Sequence, residues 1–195
     1  MKLRHVTARR SRINVKLLAI GTVACLLLGV SIVRYTVGYW VRTNDDSMRP
    51  GLQPGEVRFV YADAQPGPGD IALVSGQQGR HPRRIIGLAG DRIRVSNGRA
   101  WVNDTLATGR WTNASDAPSN TGSRVYLERL KADENYRVIL AKARAHHPST
   151  TTTVTVPDGF AYLLCDNRPL CADDEMSGLI PVTRITGVIA PSHWP

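Results

Sequence analysis

Leu17 to Val33 is a run of seventeen residues without a charge, and it constrains this 195-residue chain more than any other feature. As a helix it would extend about 25 Å, the short end of what crosses a membrane. Arg34 can snorkel, and Tyr35, Tyr39 and Trp40 extend the segment as an interfacial aromatic belt. The expected anchor therefore covers residues 17–40. Six basic residues precede or open it (Lys2, Arg4, Arg9, Arg10, Arg12 and Lys16), with no acid among residues 1–33. That asymmetry keeps a basic flank, residues 1–16, in the cytoplasm and sends residues 41–195 across. The expectation is a single-pass protein of the inner (cytoplasmic) membrane, its main domain periplasmic or extracytoplasmic. A cleavable signal peptide is the rival reading, but Ser31-Ile32-Val33-Arg34-Tyr35 offers no good cleavage site.

The charge balance follows from this topology. Of the net +9, six charges belong to the flank and +3 is left for the remainder, so the basicity gives no reason to expect nucleic acid as a partner. Cys25 lies within the apolar run and reads as a packing residue. Cys165 and Cys171 lie in the translocated part, where a disulfide and two free thiols are both open. Two cysteines do not make a zinc site, and no metal or other cofactor is expected.

Beyond the anchor the chain reads as short strands between turn signals. Strands are expected at Val57–Tyr61, Ile71–Val74, Arg83–Leu88, Arg92–Val95 and Ala100–Val102, with a hairpin turn at Ser96-Asn97-Gly98. Residues 105–122 read as an exposed loop. Arg124–Leu130 and Tyr136–Leu140 form a strand pair, Ala141–Ala145 a brief helical turn, and Thr150–Val156, Phe160–Leu164 and Arg184–Ile189 further strands. The sum is an all-β domain on one helix. The sequons at Asn103 and Asn113 read as incidental, and His146-His147 as a solvated loop rather than a metal site.

Five segments, in order, carry a resemblance. They are Ser47-Met48-Arg49-Pro50, then Gly69-Asp70-Ile71, then Arg84 through Asp91 with Ala89 where proline is usual. Asn97-Gly98 with Val102-Asn103 follows, and last Val156-Pro157-Asp158-Gly159 leading into Cys165-Asp166-Asn167-Arg168. Together they resemble the type I signal peptidase family, Ser–Lys endopeptidases with an antiparallel β fold shared with LexA-type proteases. In small size and single anchor the chain is also similar to the conjugative-transfer, TraF-like group that matures prepilin and in some cases joins the new ends. The resemblance implies Ser47 as nucleophile and exported precursor proteins, signal peptides or prepilin, as substrates at the membrane. Substrate would add as an extended strand beside the strands leading into Ser47 and Arg83. As supporting residues it implies Asp45, Met48, Pro50, Arg84, Gly90, Asp91, Asp166, Asn167, Arg168, Cys171 and Asp173.

Three positions depart from the family pattern. Arg83 stands where the family has its general-base lysine, and a guanidinium does not release its proton near neutral pH. Asp45 stands where some members place a hydroxyl beside the oxyanion, and a carboxylate there is expected to repel the developing charge. Cys171 stands where a serine would orient the lysine. Either another base serves, or the chain binds precursors without hydrolysing them. His81 is the nearest substitute, but it lies two residues early, about 6.6 Å along a strand. Asp45, Asp46 and Lys142 are weaker candidates.

Overall fold

The computed structural model describes residues 15–112, 123–131, 134–140, 152–171 and 175–190. The chain divides into two compact units, Met1–Thr36 and Val37–Pro195. In the first, helix α1 (Val15–Val37) holds the apolar run. Leucine, alanine and valine without proline allow an unbroken ladder, and Thr22 Oγ1 donates back to Ala19 O at 2.9 Å. Ile20, Leu26, Leu27, Leu28 and Val30 are all exposed. The side chains of Val15, Leu17, Leu18 and residues 33–37 lie outside the described set. Among the described residues, no helix is long and apolar enough to cross a membrane.

The second unit is built of antiparallel strands. They are β1 (Tyr39–Arg42), β2 (Val57–Tyr61), β3 (Ile71–Gly76), β4 (Gly79–Leu88), β5 (Arg92–Ser96), β6 (Arg99–Val102) and β7 (Thr105–Leu106). After them come β8 (Thr108–Trp111), β9 (Arg124–Lys131), β10 (Glu134–Leu140), β11 (Val154–Thr155), β12 (Phe160–Leu164), β13 (Gly178–Pro181) and β14 (Ile185–Ile189). Seven form the main sheet in the order β1-β2-β14-β3-β4-β12-β13. Two smaller sheets have the orders β11-β5-β6-β7 and β10-β9-β8. The all-β expectation holds for this unit.

Several boundaries differ from the sequence reading. Tyr39 and Trp40 are not the end of an anchor: they begin β1, which pairs with β2 from Tyr39↔Val60 to Arg42↔Val57. Trp40 packs edge-on against Phe59 at 5.2 Å, so the aromatic pattern that resembled a belt is a cross-strand pair. Gly38 makes the turn into β1 at φ +148°, where a Cβ would collide with Val60 O and the Phe59 ring. Residues 105–122 are not all loop, since β7 and β8 lie within them. β8 is exposed along its whole length and shows no apolar alternation, which hides it from a periodicity argument. β13 is not expected from the sequence, and of the strand expected at 150–156 the described residues show Val154–Thr155. The helical turn expected at 141–145 lies outside the described residues.

Two core clusters position the site. Ile86, Ile93, Val95, Ala100, Val156, Tyr162 and Leu164 join the main sheet to the β5–β6 hairpin. Met48 and Leu52 pack with Val60, Leu73, Ile189, Cys165 and Cys171. Burying side chains such as Met48 and Leu52 stabilises by about 1.5–3 kcal/mol each. Because both follow Ser47 closely in the loop between β1 and β2, the core fixes the serine turn.

Candidate active site

Ser47 lies in the loop spanning residues 43–56, which is closed by its own hydrogen bonds. Thr43 Oγ1 donates to Gln53 O at 2.6 Å, Thr43 N to Glu56 O at 2.9 Å, and Leu52 N to Met48 O at 2.9 Å. The Arg49–Pro50 peptide bond within it is cis. Ser47 is buried, and Asp45 folds back over it as an Asx turn. Asp45 Oδ1 accepts the Ser47 N–H at 3.0 Å and the Ser47 Oγ–H at 2.5 Å. The second Asp45 oxygen, Oδ2, lies 3.1 Å from His81 Nδ1. An ionised carboxylate only accepts, so Nδ1 carries the proton in this contact.

Strand β4 delivers the remaining groups. Alternation places His81 and Arg83 on one face and Arg84 on the other. Arg83 Nη1 donates to Ser47 Oγ at 2.9 Å and to Pro82 O at 2.6 Å. On the opposite face Arg84 Nε and Nη2 grip Asp166 Oδ1 and Oδ2 at 2.7 and 2.5 Å, and Nη1 reaches Gly69 O at 2.6 Å. Gly51 passes so close to this pair that a Cβ would lie 2.5 Å from Asp166 Oδ2.

Burial works to raise the Asp45 pKa. The hydrogen bonds from Ser47 Oγ, His81 and Ser47 N–H, with the Arg83 charge, outweigh it and hold the carboxyl below its ordinary 3.8. Asp45 is therefore ionised at neutral pH. The carboxylate is an acceptor already bonded to the serine hydroxyl. Burial likewise opposes the Arg84 charge, and the Asp166 carboxylate beside it overcomes this and raises the Arg84 pKa.

The segment after β12 braces the turn. Asn167 N donates to Ser47 O at 2.8 Å and Asn167 Nδ2 to Asp46 O at 3.2 Å. Arg168, fully buried, donates to Cys165 O, to Gly98 O and to Glu128 Oε2. Tyr136 donates to the same Glu128 oxygen at 2.7 Å, and its ring lies under Arg84 at 4.2 Å. Burial first, and then the Glu128 charge, push the Tyr136 phenol well above its ordinary value. Cys165 and Cys171 are joined in a disulfide with Cα atoms 6.1 Å apart, so the loop holding Asp166, Asn167 and Arg168 is covalently closed. Cys171 accordingly offers no thiol to orient a base.

Of the residues expected from the sequence, Ser47, Asp45, His81 and Arg83 converge. Met48, Pro50, Arg84, Asp166, Asn167, Arg168 and Cys171 surround or brace them. Gly90 and Asp91 instead hold the turn after β4: Gly90 N donates to Val156 O at 2.9 Å, and Asp91 Oδ2 accepts Leu88 N at 2.8 Å. Asp46 pairs at the surface with Arg49 at 3.3 Å. Asp173 and Lys142 lie outside the described residues. Glu128 and Tyr136 were missed, and only their place in alternating strands marked them as inward-facing.

Comparison with known proteins identifies the family. The sequence profile of the family described as signal peptidase, peptidase S26, matches residues 15–194. The chain is 28% identical over 181 residues to a signal peptidase I of Streptococcus pneumoniae strain R6, covering 80% of this chain and 83% of that protein. It is 29% identical over 113 residues to a probable signal peptidase I-2 of Synechocystis, covering 58% of this chain and 38% of that one. A crystal structure of a signal peptidase I from Enterococcus faecalis aligns with a TM-score of 0.39 at 21% identity, over 65% of this chain and 98% of that chain. With a profile match running through nearly its whole length, the chain belongs to the signal peptidase S26 family.

Proposed function

We propose that this chain is a serine endopeptidase that cleaves exported precursor proteins, signal peptides or prepilin, outside the cytoplasm. Residues 17–37 act as its membrane anchor, with the N-terminus cytoplasmic. The apolar run and the one-sided basic flank support that topology. Ser47 is the nucleophile. The observation that carries the reading is the 2.5 Å contact from Ser47 Oγ to Asp45 Oδ1, made while Arg83 donates to the same Oγ.

The chemistry follows from those contacts. As Ser47 Oγ attacks the scissile carbonyl, its proton passes to Asp45 Oδ1. Asp45 then returns that proton to the leaving amine, and water cleaves the resulting Ser47 ester. Arg83 keeps its proton throughout. Its positive charge lowers the cost of negative charge on Oγ and on the adjacent tetrahedral oxygen. Substrate is read as an added strand. β12 pairs β4 only from Arg84 to Leu88, so among the described residues the edge from Gly79 to Pro82 on that side has no strand partner. No cofactor enters the reaction.

The direct test is turnover of a synthetic precursor peptide. Ser47→Ala should abolish cleavage while precursor binding persists, and cleavage by the alanine variant would end the proposal. A second reading, a precursor-binding paralogue without hydrolysis, is favoured by the low basicity of Asp45. It predicts binding by the parent with no turnover at all.

The pH profile separates possible bases. The Asp45 pKa is depressed, so in the folded protein the ionised form persists below the ordinary 3.8 and is lost only as pH falls through the folded value. With Asp45 as acceptor, the acid limb of kcat/KM should lie below pH 3.8. A limb near the imidazole range of about 6.5 would assign the base to histidine instead.

A further inference from the structure

We propose that His81 is a positioning residue, holding the Asp45 carboxylate in the one rotation that aims Oδ1 at the Ser47 hydroxyl. This rests on the reading of Ser47 as nucleophile and adds to it the group that makes its acceptor competent. The two Asp45 oxygens are divided between partners. Oδ1 takes both donors of Ser47, and Oδ2 takes His81 Nδ1 at 3.1 Å. A carboxylate rotates over a broad, two-fold torsion, and the Asp45 side chain is 35% exposed. Without His81, Oδ2 would face water and the carboxylate would be free to turn away from Oγ.

The strand segment His81-Pro82-Arg83 delivers this as a unit. β4 holds it in register with β3, His81 opposite Val74 and Arg83 opposite Ala72. Pro82 fixes the backbone between them, and its carbonyl accepts Arg83 Nη1 at 2.6 Å. Two side chains on one strand face thus reach two adjacent atoms of the Asp45–Ser47 turn. Arg83 fixes the oxygen that attacks, and His81 fixes the group that takes its proton. The offset of His81 from the lysine position, which removes it from direct contact in a simple strand argument, is what places it against the outer Asp45 oxygen. Nδ1 donates in both the neutral and the charged imidazole, so the role does not require His81 to titrate. Among the described residues, the charged and titratable groups facing Asp45 are His81 and Arg83, with the Ser47 hydroxyl between them.

The experiment compares His81→Ala and His81→Asn in the full chain. An asparagine Nδ2 lies near the place of Nδ1 and can donate to Oδ2. His81→Ala should lower kcat about 10- to 100-fold with KM within about twofold, as expected for a misplaced catalytic group. His81→Asn should recover most of kcat. An unchanged kcat in the alanine variant, or an asparagine variant as impaired as alanine, overturns the proposal. If the parent shows no turnover, the peptidase reading fails but this inference is still decided by carbon-13 titration of the Asp45 carboxyl. Removing a hydrogen bond that favours the charged form should move that titration upward in His81→Ala and leave it near the parent value in His81→Asn. No movement in the alanine variant contradicts it.

Discussion

Arg168→Met should destabilise the full chain by about 3–5 kcal/mol, measured by chemical denaturation in detergent, because it strands a buried carboxylate. Arg168 and Glu128 are 0% and 1% exposed. Glu128 Oε2 takes both Arg168 Nη2 and the Tyr136 hydroxyl, while Glu128 Oε1 is buried with no hydrogen-bond partner among the described residues. Removing the guanidinium therefore leaves an uncompensated charge among β9, β10 and the segment after β12. Adding Glu128→Gln should return a large part of the loss, since the amide has no charge to bury. A loss under about 1 kcal/mol for the single variant would mean that water reaches Glu128 and that the pair is not holding the site. The same substitution should also reduce activity, because Arg168 follows directly on Asn167, which holds the Ser47 carbonyl.

Asp45→Asn should lower kcat by about 10²–10⁴-fold with little change in KM. The amide oxygen can still accept the Ser47 N–H and hydroxyl, and the other neutral imidazole tautomer lets His81 Nδ1 accept from the amide NH2, so the turn keeps its shape, but the amide does not take up the proton. Asp45→Ala should be at least as inactive and also less stable, having lost the Asx turn. Near-parental kcat in the asparagine variant would move the proton acceptor to another group.

The sequence made much of this visible, for identifiable reasons. β2, β3 and the β5–β6 hairpin could be read because apolar residues alternate and Asn97-Gly98 or Pro/Gly clusters end them. β1 was hidden because Tyr39 and Trp40 suit a membrane interface as well as a cross-strand pair with β2. β8, lying on an exposed edge, has no buried side to create a pattern. Within the site, Ser47 and Asp166-Asn167-Arg168 were legible as contiguous motifs. Which atoms meet across the 36 residues from Asp45 to His81 was not. Nothing in a sequence gives the direction of the Asp45 carboxylate, so its bond to the Ser47 hydroxyl is not legible there, although an Asp two residues before Ser47 carries the Asx-turn signal. The state of Cys165 and Cys171 was open by spacing alone and is a disulfide that closes the bracing loop.

On this proposal Arg83 does not empty the site of chemistry. In the family pattern one lysine both contacts the serine and takes its proton. In the proposed mechanism the two tasks fall to different side chains, with Arg83 donating to Ser47 Oγ and Asp45 taking its proton. The division keeps a proton path from Oγ at the cost of a less basic acceptor, and a rate below that of a lysine-based site is the expected consequence.

The central claim, that Ser47 forms an ester with substrate, is tested most directly by rapid acid quenching during turnover of a precursor peptide, followed by peptide mass spectrometry. The account predicts that the mass of the peptide containing Ser47 increases by the acyl fragment of the substrate in the parent and not in Ser47→Ala. Cleavage that continues with no adduct on Ser47, and survives its replacement, would contradict it.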